Sequence, residues 1–197
     1  MKLVSIQASA FKSTFEVLKD ILNDVNIYFR PQGMYIVTLD TARTSLIDMF
    51  LAADNFEEYH CDQEEIIAGI NISNTFKLLK IITNNDVLQI EITSKEYMDI
   101  TITSESKKTS SKFQLKLKCE GDFANQETCI ECPEESPCIT GLYSLKYLNI
   151  FTKATSMCAS VQIIQETGNR FLILKYNVAN LGELKFYLAT KVPEDLL

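Results

Sequence analysis

Apolar residues recur with the period of an α-helix in three stretches of the chain, and each stretch follows a short segment with the period of a β-strand. The clearest helical stretch begins at Ser73. Its polar side carries amines at the spacing i, i+3 and i+7: Lys77, Lys80 and Asn84. Its opposite side is mainly apolar: Phe76, Leu79 and Ile82 or Thr83. The pattern predicts an amphipathic helix that packs one side on a core and turns two lysines away from it.

The same arrangement recurs in residues 9–23 and in residues 144–155. The polar side of the earlier helix holds Lys12, Glu16, Lys19 and Asn23, and its apolar side holds Phe11, Phe15, Leu18 and Leu22. The polar side of the later helix holds Lys146, Asn149 and Lys153, and its apolar side holds Leu145, Leu148, Phe151 and Ala154. Each predicted helix therefore directs two lysines away from the core, in a chain that is otherwise acidic.

Alternating or continuously apolar segments predict the strands, and Pro31-Gln32-Gly33 predicts a hairpin turn. The predicted strands are residues 3–8, 25–30, 34–39, 44–52, 57–61, 66–72, 87–92, 98–103, 113–118, 138–142, 160–165, 170–176 and 183–188. A β-α-β-β-β unit thus occurs three times, which predicts the α+β class with helices on one side of antiparallel sheets. One helix cannot cover a sheet alone, so two units should pair and the third lacks a mate.

Charge and hydropathy restrict the class of protein. The net charge is −7, which alone argues against nucleic acid, but one basic face on an acidic body can still hold phosphates. No apolar run approaches 18 residues and the N-terminus lacks the apolar core of a secretory signal, so we expect no membrane span and a cytosolic or nuclear location.

Candidate chemistry is sparse. Cys129 and Cys132 have the two-residue gap that zinc sites use, but no second close pair or histidine accompanies them, which favours ordinary reduced thiols over a metal site. There is no glycine-rich phosphate loop, and the lone His60 has no nucleophile beside it in sequence. We therefore predict a protein that is not an enzyme and carries no cofactor or metal.

Four segments resemble the eukaryotic-type DNA sliding clamp family, proliferating cell nuclear antigen. Residues 39–46 (LDTARTSL) are similar to the loop after the family's first hairpin, and residues 69–80 to its second helix. Residues 144–155 (SLKYLNIFTKAT) and 184–189 (LKFYLA) are similar to its last helix and last strand. The resemblance covers residues 1–118 and 127–194, nearly the whole chain.

The resemblance implies a ring of repeated β-α-β-β-β units, with helices lining a central hole through which double-stranded DNA threads. Amines would then face phosphates without reading bases. The residues that would bind DNA are Lys12, Lys19, Lys77, Lys80, Lys146 and Lys153. The family also implies a homo-oligomer, a clamp loader, and a nuclear location, or a viral replication site if a large DNA virus encodes the chain.

Clients of the family, DNA polymerase among them, insert a short helical plug called the PIP box into a surface pocket. The resemblance assigns this pocket to two groups of residues: Leu39, Arg43, Thr44 and Leu46 from the first loop, and Phe171, Tyr187, Ala189 and Thr190 from the C-terminal strands. Thr190 stands where the family usually has proline.

Family members have four units in each chain, whereas this chain has three. We predict a first clamp domain at residues 1–118, a shortened linker at 119–126, and the second half of the second domain at 127–197. An alternative register places residues 113–118 in the second domain. The absent unit normally supplies the edge strand that pairs with the next subunit, so Phe113, Leu115 and Leu117 would form an open interface strand.

Two functions remain open from the sequence. The favoured one is a sliding clamp, a processivity factor that encircles duplex DNA and is trimeric if the fourth unit is present in the native chain. The alternative is an interaction module that binds PIP-box peptides but does not encircle DNA. Oligomeric state and retention on circular DNA distinguish them.

Overall fold

The computed structural model describes residues 1–93, 98–104, 141–165, 168 and 170–191, together with the backbone of residues 118–120 and 125–127. The helices of this part are α1 (Ala8–Leu18), α2 (Ile72–Leu79) and α3 (Leu145–Phe151), and short 3₁₀ helices cover Ala53–Asn55 and Thr152–Ser156. None of them is long and apolar enough to cross a membrane.

The strands alternate with the helices in the predicted order. Their bounds are β1 (Lys2–Ser5), β2 (Asp24–Arg30), β3 (Gly33–Leu39), β4 (Ser45–Ala52), β5 (Glu58–His60), β6 (Ile66–Asn71), β7 (Asp86–Glu91), β8 (Asp99–Ser104), β9 (Lys118–Glu120), β10 (Asn125–Glu127), β11 (Val161–Gln165), β12 (Phe171–Val178) and β13 (Gly182–Ala189). The predicted strand 113–118 lies outside the described residues except at its last position. Of the predicted strand 138–142, the described residues 141 and 142 are not in a strand.

Two antiparallel sheets contain most of these strands. The larger has seven strands in the order β11-β12-β13-β4-β3-β2-β6, and the smaller has four in the order β5-β1-β7-β8. Within them the β2–β3 hairpin turns at Gly33, whose positive φ of 148° and close approach to Leu51 exclude any side chain there. This architecture confirms the predicted α+β class.

The first two units pair by exchanging strands. β1 of the first unit pairs with β7 of the second, and β6 of the second unit pairs with β2 of the first. Both exchanged strands lead into a lysine-bearing helix, and the two helices, α1 and α2, pack on each other. The two units therefore close one core reciprocally, as their incomplete individual coverage requires.

The third unit joins the first through one strand pair. β13 lies antiparallel to β4 along its whole length, from Gly182 opposite Leu51 to Leu188 opposite Ser45. A side chain at Gly182 would meet the Phe50 carbonyl oxygen at 2.0 Å, so only glycine lets the two backbones approach this closely here. The seven-stranded sheet consequently runs without interruption from the first unit into the third.

The helices lie on one face of the large sheet. The ring of Phe151 in α3 stacks on Phe186 of β13 with centroids 4.4 Å apart, and Tyr176 meets the same ring edge-on. These side chains and those of α1 belong to one buried cluster. Because side chains alternate along β13, Lys185 and Tyr187 project to the opposite face, away from α3.

Two details of the predicted helices were wrong. Leu145 was expected in the core but is 55% exposed, while Tyr147 is buried because its hydroxyl has a carboxylate partner inside the protein. The first helix ends at Leu18 rather than at residue 23. Its apolar side was otherwise predicted correctly, since Phe11, Phe15 and Leu22 are all buried.

Candidate functional site

The lysines of α1 lie in the seam between α1 and α2. The Lys12 ammonium donates a hydrogen bond of 2.8 Å to the carbonyl oxygen of Ile82, just after α2. One helical turn or two further on, the Lys19 ammonium lies 5.4 Å from the ring centroid of Phe76 in α2. Both side chains are half-buried, so part of their donor capacity is used within the protein.

Asp20, just after α1, connects the first unit to the third. Its carboxylate accepts from Lys19 at 3.0 Å and also pairs with Lys153, which lies in the 3₁₀ helix after α3. Burial alone would raise the pKa of Asp20, but the hydrogen bonds from Lys153 and Lys19 outweigh it and hold that pKa below its ordinary value. The charges of Lys19 and Lys153 are therefore partly neutralised in place.

Lys77, Lys80 and Lys146 differ from the other three predicted lysines. All three are exposed, and within the described ranges none of them forms an ion pair. The Lys77 ammonium contacts only a neutral partner, the Asn74 side-chain oxygen at 2.9 Å. The helix α2 that carries two of them is fixed at its start by Asn71, whose side chain accepts from the Asn74 N–H. These three amines are the ones most able to meet an anion.

The opposite face of the large sheet carries an apolar row. Residues directly opposite each other on neighbouring strands share a face, and one such row crosses five strands. Its members are Leu39, Leu46, Tyr187, Ile173 and Ile164, in the strand order β3, β4, β13, β12 and β11. Leu39 is 51% exposed and Ile164 is 44% exposed. Three of the predicted client-binding residues therefore lie side by side.

A second row adjoins the first. Phe171 lies opposite Ala189, and the Ala189 N–H points to the carbonyl oxygen of Thr44 at 3.4 Å. The Thr190 N–H donates to the carbonyl oxygen of Arg170 at 3.1 Å, which holds the residue in place of the family's proline beside Phe171. Phe171 is itself 41% exposed. The two rows form an apolar patch that we call the outer patch.

The loop from Asp40 to Thr44 borders the outer patch and is organised by the Asp40 carboxylate, which is 5% exposed. It accepts backbone hydrogen bonds from Ala42 at 2.9 Å, Thr44 at 2.7 Å and Ser45 at 2.6 Å. The Tyr147 hydroxyl donates a fourth, at 2.7 Å. Inside this turn Arg43 adopts a left-handed φ of 54° and projects an exposed side chain.

These contacts explain the protonation state of Asp40. Burial alone would raise the pKa of Asp40, but the donors of Ser45, Tyr147, Ala42 and Thr44 together hold that pKa below its ordinary value. The same bond to Asp40 is the main reason that the pKa of Tyr147 is raised. Sequence reasoning missed this pair of residues, although aspartate directly after a strand is a common turn residue.

The remaining predicted site residues lie outside the described residues. They are the interface residues Phe113, Leu115 and Leu117. The side chains of the closely spaced cysteines, Cys119, Cys129, Cys132 and Cys138, also lie outside them. Cys61 and Cys158, within the described part, are free thiols.

Lysine-bearing helices on one face of antiparallel sheets, with an apolar patch on the other, constitute the architecture of a DNA clamp. Residues 2–124 match the family described as "Proliferating cell nuclear antigen, N-terminal domain", and residues 93–191 match "Proliferating cell nuclear antigen, C-terminal domain". The first match alone covers more than half of the chain. The chain therefore belongs to the proliferating cell nuclear antigen family of DNA sliding clamps.

Two relatives match over nearly their whole length. "Probable DNA polymerase sliding clamp 1" of Paramecium bursaria Chlorella virus 1 is 28% identical over 250 residues, which cover 94% of each chain. "Proliferating cell nuclear antigen" of Chaetomium thermophilum is 26% identical over 253 residues, which cover 96% of this chain and 97% of the relative.

The alignment with the viral relative spans more positions than this chain has residues. At least 53 of its positions, the difference between 250 and 197, have no counterpart here. That length is of the order of one β-α-β-β-β unit. Because the two family matches overlap over residues 93–124, the register of the predicted strand 113–118 stays open.

Proposed function

We propose that this chain is a sliding clamp that encircles duplex DNA without reading its sequence and tethers DNA polymerase and other PIP-box proteins to it. The observation that carries the proposal is the helix layer, in which α1, α2 and α3 all present lysines on the side away from the sheets. Family membership supports the same function. As a clamp, the chain would hold its clients near DNA and catalyse no reaction itself.

Lys77, Lys80 and Lys146 make the main phosphate contacts in this proposal. They are exposed and lack ion pairs within the described ranges, so their charge is available to DNA. Lys12, Lys19 and Lys153 contribute less, because a carbonyl oxygen or the Asp20 carboxylate already engages their ammonium groups. Contacts of this kind are individually weak and salt-screened, which lets a ring hold DNA and still slide.

The outer patch binds the client peptide. Leu39, Leu46 and Tyr187 offer adjoining apolar side chains on which aromatic and aliphatic anchors of a short helix can bury themselves. Arg43 and Thr44 border the patch, and Phe171, Ala189 and Thr190 complete its C-terminal side. We propose that the clamp loader uses the same patch, in the nucleus or at a viral replication site, since one relative is viral and another fungal.

Topological retention on DNA tests this function. After loading on a nicked circular duplex by a clamp loader with ATP, the protein should remain bound through a high-salt wash, and linearising the DNA should release it. An encircling ring resists salt because its hold is topological, whereas phosphate contacts alone are lost as salt rises. Equal loss from circular and linear DNA, with a PIP-box peptide still bound, would show a non-encircling interaction module instead.

A further inference from the structure

Strand β11 has the same place in the third unit that β7 has in the second. Each follows a lysine-bearing helix and pairs antiparallel with the next strand of the chain, β7 with β8 and β11 with β12. β7 has β1 along its other side. β11 is the last strand of the seven-stranded sheet, so no described strand covers its other side.

The missing neighbour leaves core-facing residues exposed. In β7, Leu88 is fully buried and Ile90 is 6% exposed. In β11, Ile163 lies opposite Leu174, which is 5% exposed, so both side chains point to the core face of the sheet. Ile163 is nevertheless 42% exposed. An apolar side chain aimed at the core and still half open to solvent indicates that something further packs there.

The outer edge of β11 lacks the features that keep edge strands apart. Its sequence, Val-Gln-Ile-Ile-Gln, contains no charge and no proline. The strand at the opposite end of the same sheet, β6, is also uncharged, but the cleft along it is lined by the charged or titratable residues Lys2, His60, Asp62, Glu65 and Glu91. Only β11 offers an edge without such neighbours on the cleft side.

We propose that β11 is a docking edge for a second copy of this chain, with the two β11 strands antiparallel across a two-fold axis at Ile163. This register places Val161 opposite Gln165 of the second copy, and the two Ile163 side chains face each other. A self-complementary patch is what a two-fold interface requires. Because the edge is uncharged, two copies of a chain with net charge −7 can meet here without like charges opposing each other.

This contact is independent of DNA, so it can be measured on the protein alone. Sedimentation velocity of the parent chain should show a dimer or a larger even-numbered species, and Ile163→Lys should reduce it to half that mass by burying an amine at the axis. Ile67→Lys on β6 is the matched control, since Ile67 is 54% exposed on the edge strand at the other end of the sheet. Circular dichroism of both variants checks that they fold.

A cysteine at the axis supplies a second measurement. Ile163→Cys should give a covalent dimer on mild oxidation well above the background from the parent's own six cysteines. A parent chain that sediments as a monomer would overturn the proposal, as would an Ile163→Lys variant of unchanged mass. Dissociation by Ile67→Lys as well would also overturn it, because β11 would then be pairing head-to-tail with β6.

Discussion

Replacing Asp40 by alanine should lower the free energy of unfolding by about 3 to 5 kcal/mol and abolish binding of a PIP-box peptide. The carboxylate is buried and accepts four hydrogen bonds, three from the backbone of its own loop and one from Tyr147. Alanine would leave the buried donors among them without a partner, and the loop beside the outer patch would lose its shape. Urea unfolding and peptide titration measure the two effects.

Two variants separate the loop from the contact with α3. Tyr147→Phe removes a single hydrogen bond to a charged group and should cost about 1.5 to 3 kcal/mol while the loop keeps its three backbone bonds. Asp40→Asn keeps an acceptor oxygen and should be less damaging than alanine. If Asp40→Ala unfolded at the same urea concentration as the parent, Asp40 would not organise the loop.

The effect of Asp40 should depend on pH. Its pKa is lowered in the folded protein, so its contribution is complete above the unfolded value of about 3.9 and is lost as pH falls through the folded value. The stability difference between the parent and Asp40→Ala should therefore be constant near neutrality and shrink below about pH 4. A difference that stayed unchanged under acid conditions would show that the charge of Asp40 is not involved.

The double variant Lys77→Gln and Lys80→Gln should weaken DNA binding and flatten its salt dependence. Each phosphate contact contributes about 0.9 to the slope of log K against log salt, so losing two per subunit should reduce that slope by about 2. Between low salt and a fourfold higher concentration, two such contacts account for roughly a tenfold change in affinity. Fluorescence anisotropy with a short duplex at several salt concentrations gives the slope.

Lys175→Gln with Lys185→Gln is the matched control for that measurement. It removes the same charge from the opposite face of the sheet, where both lysines pair with Glu183. Its salt slope should stay close to that of the parent. Equal slopes for the two double variants would mean that net charge, rather than the helix layer, determines DNA binding.

Local pattern was sufficient to predict most elements of this fold. Alternation placed the β2–β3 hairpin correctly, and helical period placed Phe11, Phe15, Phe151 and Leu79 in the core. It failed at α3, where Tyr147 rather than Leu145 is buried. The cause is a partner 107 residues away, Asp40, and no local periodicity contains that information.

The site was predictable as a set of residues but not as a set of strengths. Spacing showed that each helix carries two lysines, and the resemblance assigned them to DNA. Only tertiary packing brings the Ile82 carbonyl oxygen to Lys12 and the Asp20 carboxylate to Lys153. Which lysines keep their charge available therefore follows from contacts between units, and sequence spacing does not contain those contacts.

Photo-cross-linking from single positions tests the central claim most directly. A benzophenone attached at position 77, 80 or 146 of the loaded protein should cross-link to duplex DNA, and the yield should not depend on the DNA sequence. The same probe at position 185, on the opposite face, should give almost none. Comparable yields from position 185, or none from the helix positions, would contradict a DNA passage lined by these helices.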